Sequence, residues 1–181
     1  MAGPMNVPPT GTESVRAPLI VTADLGPADF AWLDDQRRAH FPPARNQLAA
    51  HLTMFHALPP SLEGEVRRQL KAATAGPPPK ASLSGLMNLG GGVAYRVVSP
   101  ELDIIRDDIA DHFHGSLTAQ DGGGWRAHVT IQNKVKSPEA KALFDKLERD
   151  FVARPLKIRG LALHRYLGGP WEALGIWSFR P

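Results

Sequence analysis

The sequence of 181 residues contains no cysteine. Disulfide bonds and thiolate metal sites are therefore excluded, and cysteine usage says nothing about the redox compartment. No apolar run approaches the roughly 20 residues that a membrane-spanning helix needs. The N-terminus also lacks a basic start followed by an apolar stretch, so no signal peptide is predicted. We expect a cytoplasmic protein with no membrane partner.

Several common catalytic signatures are also missing. There is no P-loop, no dinucleotide-binding glycine pattern and no nucleophile elbow. A metal site would need a third ligand beyond two histidines, and no His-Glu-x-x-His sequence supplies one. His40, His112 and His114 remain as candidate ligands, but they lie on or after predicted helices without a shared face. We expect no bound metal and no other cofactor.

The composition is that of an ordinary globular protein, with 43% hydrophobic and 22% charged residues. The net charge of +3 and the sequence pI near 9.4 permit a polyanionic partner without requiring one. Residues 1–17 are rich in proline and glycine, which predicts a disordered tail. Residues 18–181 are long enough to bury a core and are predicted to form a single domain. We expect a monomer.

Two short segments share the pattern His-x-Thr-x, with an apolar residue at each x position. They are His51-Leu52-Thr53-Met54 and His128-Val129-Thr130-Ile131. Successive side chains on a β-strand point to opposite faces, so the histidine and threonine of each segment would share one face. The apolar residues would point into the core. One such tetrapeptide arises by chance, whereas two with similar surroundings favour a common function.

The surroundings of the two segments do match. A strand and a helix precede each one, and a helix, a strand with a Gly-Leu step, a glycine-rich turn and a last strand follow it. The chain therefore predicts the order βαβαββ followed by αβαββ, in which one supersecondary unit is used twice. This order favours an α+β class with antiparallel sheets. The glycine-rich stretch 121–124, just before the second segment, is predicted to be a connector, with a lid as the alternative.

The residue types in the two segments suit displacement at phosphorus. Such a reaction needs a base for the attacking oxygen and an acid for the leaving oxygen, and histidine can serve as either near neutral pH. Threonine hydroxyls can donate hydrogen bonds to the non-bridging oxygens as negative charge develops. A strained 2′,3′-cyclic phosphate could open at such a site without a metal.

The paired motifs resemble those of the 2H phosphoesterase superfamily, and especially its bacterial 2′-5′ RNA ligase-like cyclic phosphodiesterases. The resemblance extends from about Pro18 to the C-terminus. It implies a bilobal fold, with two pseudo-symmetric lobes of antiparallel sheet and helices around a central cleft. It also implies metal-independent hydrolysis of 2′,3′-cyclic phosphates on RNA ends or nucleotides, with weak 2′-5′ ligation as the reverse reaction. The catalytic residues would be His51, Thr53, His128 and Thr130.

Four further residues are candidates for binding the substrate. Arg126 and Lys134 alternate with His128 along its strand and could contact phosphate, although a solvated strand edge is an equal alternative. Phe55 would share a face with His51 and could stack on a base, with a core position as the more common role. Tyr166 flanks the last glycine-rich turn, where it could form a wall of the cleft or pack in the hairpin.

The sequence leaves alternatives to this function open. Many relatives carry an arginine after the second motif, whereas Gln132 and Asn133 follow it here, which puts substrate identity in doubt. A non-catalytic nucleotide- or RNA-binding module of the same fold is the main alternative, although intact histidines and threonines in both motifs argue against it. RNA ends, cyclic nucleotides, ADP-ribose derivatives and 2′-5′ oligonucleotides all remain candidate substrates. His56 is expected on the apolar side of its strand, away from catalysis.

Overall fold

The structure is a computed structural model that describes residues 16–181. The predicted tail, residues 1–17, lies almost wholly outside the described residues. The described strands are β1 (Leu19–Leu25), β2 (Leu52–Leu58), β3 (Lys80–Asn88), β4 (Val93–Val98), β5 (His128–Gln132), β6 (Arg154–Tyr166) and β7 (Trp171–Ser178). The described helices are α1 (Pro27–His40), α2 (Glu63–Ala73), α3 (Pro100–His112), α4 (Ala119–Gly122) and α5 (Ser137–Arg149).

The predicted order of strands and α-helices is confirmed, with one α-helix added, and 3₁₀ turns also occur at Pro43–Arg45 and Pro60–Leu62. Proline in the first turn starts α1, α3 and α5, where its missing N–H costs no helical hydrogen bond. The added element is the four-residue α4, which lies partly in the glycine-rich stretch 121–124. No helix in the described part of the chain is long and apolar enough to cross a membrane.

All strand pairs are antiparallel, and the sheet order is β2-β1-β6-β3-β4-β5, with β7 paired to β6. This order has pseudo-two-fold symmetry, since β2, β1 and β6 in one half correspond to β5, β4 and β3 in the other. The 13-residue β6 connects the halves, because Arg154–Lys157 pair with β3 and the rest of the strand pairs with β1 and β7. We call β1, β2, β6 and β7 the first lobe, and β3, β4 and β5 the second lobe.

The lobes do not coincide with the sequence repeats. The hairpin β3–β4 follows the first motif along the chain but pairs with β5, which carries the second motif. The hairpin β6–β7 follows the second motif but pairs with β1, and through it with the first motif strand. The motif strands β2 and β5 lie at the two ends of the sheet and yet contact each other. The sheet therefore curls so that its ends bring the two motifs together.

The apolar residues of both motifs lie in the core. The side chains of Leu52, Met54, Val129 and Ile131 are all 0% exposed, as the alternating pattern predicts. Burying one such side chain contributes roughly 1.5–3 kcal/mol. This burial fixes which face of each motif strand is left for the histidine and the threonine.

Two buried arginines tie the helices to the motif strands. Arg37 of α1 donates from Nη1 to the Thr130 carbonyl of β5 (3.0 Å), and Arg106 of α3 donates from Nε to the Met54 carbonyl of β2 (3.3 Å). Each helix precedes one motif in the chain and holds the strand of the other motif. The arginines therefore fix the two motifs relative to each other.

Candidate active site

One cavity brings the two motifs together. It has a volume of about 160 Å³ and is lined by His51, Thr53, His128 and Thr130, with Ile20, His56 and Trp171 completing its wall. The first motif comes from the edge strand of one lobe and the second from the edge strand of the other. The cavity therefore brings the imidazoles and hydroxyls of both motifs together in a space of the size that a small anionic group needs.

Both catalytic candidates are held in the same way. His51 Nδ1 lies 2.8 Å from the Ala49 carbonyl oxygen, and His128 Nδ1 lies 2.8 Å from the Arg126 carbonyl oxygen. A carbonyl oxygen only accepts hydrogen bonds, so each Nδ1 must carry the proton. This leaves Nε2 of each ring as the nitrogen that can exchange a proton in the cavity.

The surroundings of His51 keep its imidazole neutral. Burial, with a smaller contribution from the nearby Arg37, His164 and His128, lowers its pKa to about 4, against a hydrogen bond to the Ala49 carbonyl that raises it. A histidine with such a pKa is uncharged at pH 7. His51 therefore has its Nε2 lone pair available to accept a proton.

Trp171 fixes the orientation of the His51 ring. The centroids of the two rings lie 4.7 Å apart in an edge-to-face arrangement. The indole also contacts His164, whose ring centroid lies 5.2 Å from it. Such aromatic contacts contribute about 0.5–1.5 kcal/mol beyond their buried area. The indole thus restrains the ring that lines the cavity.

A bulge in each motif strand decides which later side chains reach the cleft. In β2, Thr53 pairs with Thr22 but Phe55 pairs with the adjacent Val21, so two residues of β2 oppose one of β1. Phe55 is consequently 0% exposed, and its prediction as a substrate-stacking residue is wrong. His56, which was expected on the apolar side, lines the cleft instead.

The second motif strand has the equivalent bulge. Thr130 pairs with Ala94 but Gln132 pairs with the adjacent Val93, so Gln132 turns into the core and is 3% exposed. Asn133 then lines the cleft, as His56 does in the other lobe. The two lobes therefore offer the same sequence of groups to the cavity and the hollow beside it, each consisting of a histidine, a threonine and one further polar residue.

The other predicted substrate-binding residues are divided between two places. Lys134 and Tyr166 line a hollow of about 420 Å³ that adjoins the small cavity. Tyr166 therefore forms part of the cleft wall. Arg126 does not line the cleft, because it precedes β5 and its side chain lies in a separate hollow with Arg96. Its backbone carbonyl, which holds His128, is its link to the site.

The small cavity opens into a longer groove. The hollow of about 420 Å³ on one side and another of about 370 Å³ on the other both share His51 and Trp171 with it. The larger hollow carries the cations Arg37, Arg45 and Lys134, whereas the smaller one has mainly apolar walls. The groove can thus accommodate a molecule much larger than a phosphate.

No group of three or more histidine, aspartate or glutamate side chains that could hold a metal ion occurs within residues 16–181. A family model for the 2′-5′ RNA ligase superfamily matches residues 25–170, a range that includes both motifs. The chain belongs to this superfamily.

Solved structures of the superfamily's 2H phosphoesterase fold resemble the chain. The protein TT0787 of Thermus thermophilus has a TM-score of 0.61 at 14% identity, over 90% of this chain and 98% of that chain. A structure titled as a phosphoesterase has a TM-score of 0.58 at 16% identity, over 92% and 99%. LigT of Escherichia coli complexed with 3′-AMP has a TM-score of 0.55 at 13% identity, over 92% and 99%. No curated protein matches the chain.

The cleft of this superfamily member also contains residues that its two motifs do not predict. Arg37 is 5% exposed and lines the larger hollow. It shares a helical face with the buried Leu33 four residues earlier, and this spacing is the signal that could have identified it. Thr22 and His164 lie in the smaller hollow and are joined by a 3.0 Å hydrogen bond. No sequence signal distinguishes them from ordinary strand residues.

His56 is held by a buried carboxylate. Asp121 is 1% exposed and accepts hydrogen bonds from the backbone N–H groups of His56 and Ala57 and from His56 Nδ1 (3.0 Å). Burial alone would raise the pKa of Asp121, but these donors outweigh it and the pKa is lowered. The ionised carboxylate fixes the proton of His56 on Nδ1 and attaches the stretch 115–127 to β2.

We predict that Asp121→Asn destabilises the fold by about 1–3 kcal/mol, because the amide presents an N–H group to donors that need an acceptor. The folded pKa of Asp121 is lowered, so its contribution is complete above its ordinary pKa of 3.8 and is lost as the pH falls through the folded pKa. Urea unfolding at pH 7 and pH 3 measures both effects. The matched control is Asp145→Asn at an exposed ion pair, where a loss of at most about 1 kcal/mol is expected. An equal loss in both variants would refute the buried role.

Proposed function

We propose that the protein is a metal-independent phosphodiesterase that opens 2′,3′-cyclic phosphates of RNA ends or nucleotides. The observation that carries the proposal is the single cavity in which His51, His128, Thr53 and Thr130 meet. Membership of the 2′-5′ RNA ligase superfamily and the 3′-AMP complex of the relative LigT support a nucleotide substrate.

The two histidines have different roles in the proposed reaction. His51 is neutral, so its Nε2 accepts a proton from the attacking water as the new P–O bond forms. His128 donates the proton that the departing ribose oxygen needs as the old P–O bond breaks. The products are a ribose hydroxyl and a phosphomonoester on the neighbouring ribose oxygen. His51 has then gained one proton and His128 has lost one, so the net charge of the pair is unchanged. Proton exchange with solvent returns each histidine to its starting state.

The threonines and Arg37 stabilise the charge that develops on phosphorus. The Thr53 and Thr130 hydroxyls line the cavity and can donate to the two non-bridging oxygens. Arg37 keeps a positive charge beside the cavity, because a guanidinium stays protonated even when burial lowers its pKa. The nucleoside would occupy the larger hollow, where Tyr166 offers a face for stacking.

Ligation would use the same chemistry with a different nucleophile. The 5′-hydroxyl of a second RNA end, in place of water, would attack the cyclic phosphate, with His51 accepting its proton and His128 protonating the departing 3′ oxygen, which leaves a 2′-5′ phosphodiester. Because hydrolysis draws on water at high concentration, ligation is expected only at high concentrations of RNA ends.

A substrate panel tests the proposed activity. The protein in EDTA should convert 2′,3′-cyclic AMP, and a short RNA with a cyclic end, to phosphomonoesters, as followed by phosphorus NMR. It should leave 3′,5′-cyclic AMP unchanged, because that ester lacks the strained five-membered ring. Tight binding of 2′,3′-cyclic AMP without any turnover would favour the non-catalytic binding module instead.

The pH dependence of kcat/KM should reflect the lowered pKa of His51. At pH 5 an imidazole with a pKa of about 4 is about 90% neutral, whereas an ordinary one is only about 3% neutral. We therefore expect kcat/KM to fall by less than about twofold between pH 7 and pH 5 through this group. The acid limb of kcat should lie at higher pH than that of kcat/KM, because the negative charge of the bound phosphate favours the imidazolium form of His51.

Circular dichroism at each pH provides the control for this profile. The folded state keeps His51 neutral, so the pKa difference destabilises the fold as the pH falls from about 6.5 towards 4. Only rates measured where the protein remains folded are compared. An acid limb of kcat/KM centred near pH 6.5 would contradict the assignment of His51 as the base.

A further inference from the structure

The second lobe carries an open surface next to His128 that the proposed reaction does not use. In the β4–β5 ladder Arg96 lies directly opposite His128, as Ala94 lies opposite Thr130. Directly opposed side chains of an antiparallel pair lie on the same face, about 5 Å apart at Cβ. Arg96 therefore stands beside the catalytic histidine on the cleft face of this lobe.

Arg126 joins Arg96 on this surface. The two side chains line one hollow of about 460 Å³, whose other walls include Met87, Asn88 and Phe144. Both arginines are exposed. Neither has an acidic partner within ion-pair distance among residues 16–181. We call this hollow, with its two arginines, the basic shelf.

The equivalent surface of the first lobe differs in its charge. Asp24 occupies on β1 the place that Arg96 has on β4, and its charge is paired with Arg159 at 2.6 Å. A Cβ on Gly160 of β6 would lie 2.5 Å from the Trp177 carbonyl of β7, whereas one on the equivalent Gly85 of β3 would meet nothing within 4 Å. The second lobe has no strand equivalent to β7 among the described residues, and the space beside Gly85 is open.

We infer that the basic shelf binds the phosphodiester backbone of a single-stranded RNA whose cyclic end lies between His51 and His128. This inference rests on the proposed function and narrows its substrate from a mononucleotide to an oligonucleotide. Unpaired arginines above an apolar floor suit a single strand, because the cations contact phosphates while a base packs on the apolar side chains. The surface beside His128 offers two unpaired arginines, whereas the carboxylate of Asp24 lies at the equivalent place in the first lobe, so the strand would run out past His128 rather than over β1.

Binding of a labelled RNA hexamer with a 3′-phosphate end, which has no ring to open, tests the shelf without catalysis. Fluorescence anisotropy should show that Arg96→Gln with Arg126→Gln weakens binding by about tenfold at moderate salt. The slope of log K against log salt should fall by about 0.7 for each arginine removed. Lys136→Gln with Lys141→Gln, which removes two exposed cations at and before α5, is the charge-matched control and should change neither quantity.

Catalysis provides the second comparison. The ratio of kcat/KM for a hexamer with a cyclic end to that for 2′,3′-cyclic AMP should fall by about tenfold in the double variant. The inference would be overturned if this ratio were unchanged in the double variant. It would also be overturned if the ratio fell instead in Arg45→Gln with Lys134→Gln, because the strand would then leave through the larger hollow. If the wild type binds the hexamer through the shelf but opens no cyclic phosphate, the proposed function fails while the shelf stands.

Discussion

Replacing His128 by alanine is expected to lower kcat for 2′,3′-cyclic AMP by about 10²–10⁴-fold, the usual contribution of a general acid or base. The departing ribose oxygen would have to leave without a proton, because the neutral His51 cannot supply one. His51→Ala should cost a similar factor, since the attacking water would lose its base. Steady-state kinetics at pH 7 measure both losses.

The double variant shows whether the two histidines act as one unit. Its loss should be much smaller than the product of the single losses, because removing either histidine already disables the coupled proton transfers. Thr53→Val and Thr130→Val should each cost less, since each removes one hydrogen-bond donor while the other contacts remain. His114→Ala, at an exposed histidine outside the cleft, is the control. Retention of activity in His128→Ala would refute the mechanism.

Replacing Arg37 by methionine is expected to lower kcat/KM by about 10–100-fold. The change leaves the Thr130 carbonyl without its charged donor, and such hydrogen bonds contribute about 1.5–3 kcal/mol. It also removes a cation from the wall of the cleft, where the substrate phosphate carries negative charge. Arg68→Met, at an exposed arginine of α2, is the matched control and should change kcat/KM little.

The pH profile separates this role of Arg37 from a purely structural one. Arg37 is one of the charges that lower the pKa of His51, so its removal should raise that pKa. The acid limb of kcat/KM should therefore move to higher pH in Arg37→Met, but not in Arg68→Met. A loss of activity with no movement of the limb would show that Arg37 acts only through packing.

The sequence was sufficient to predict the motif strands because their signal is local. Alternation of His and Thr with apolar residues decides which face is buried, and Leu52, Met54, Val129 and Ile131 obey it. The repeat of the flanking elements was equally visible, and it gave the element order and the α+β class.

The bulges could not be predicted, because they depend on how β2 pairs with β1 and how β5 pairs with β4. Strict alternation put Phe55 on the cleft face and His56 on the apolar side, and a single extra residue in β2 reverses both. The swap of hairpins between the lobes is invisible for the same reason, since strand partners distant in sequence determine it.

Arg37 and Asp121 show a second limit of sequence reasoning. Arg37 lies on a predicted helix and Asp121 in a predicted connector, where a charged side chain is expected in solvent, yet each is at most 5% exposed. Their burial is tolerable because backbone groups of the other motif strand satisfy them: Arg37 donates to Thr130 and Asp121 accepts from His56. These partners are identified only once the lobes are assembled.

Hydrolysis of 2′,3′-cyclic AMP by protein dialysed against EDTA, compared with the variant His51→Ala/His128→Ala, tests the central claim most directly. We predict that the dialysed wild type keeps its full rate, that added divalent cations do not raise it, and that the double variant loses nearly all turnover. A wild-type rate that EDTA abolishes and a divalent cation restores, or full turnover in the double variant, would contradict metal-independent catalysis by the paired histidines.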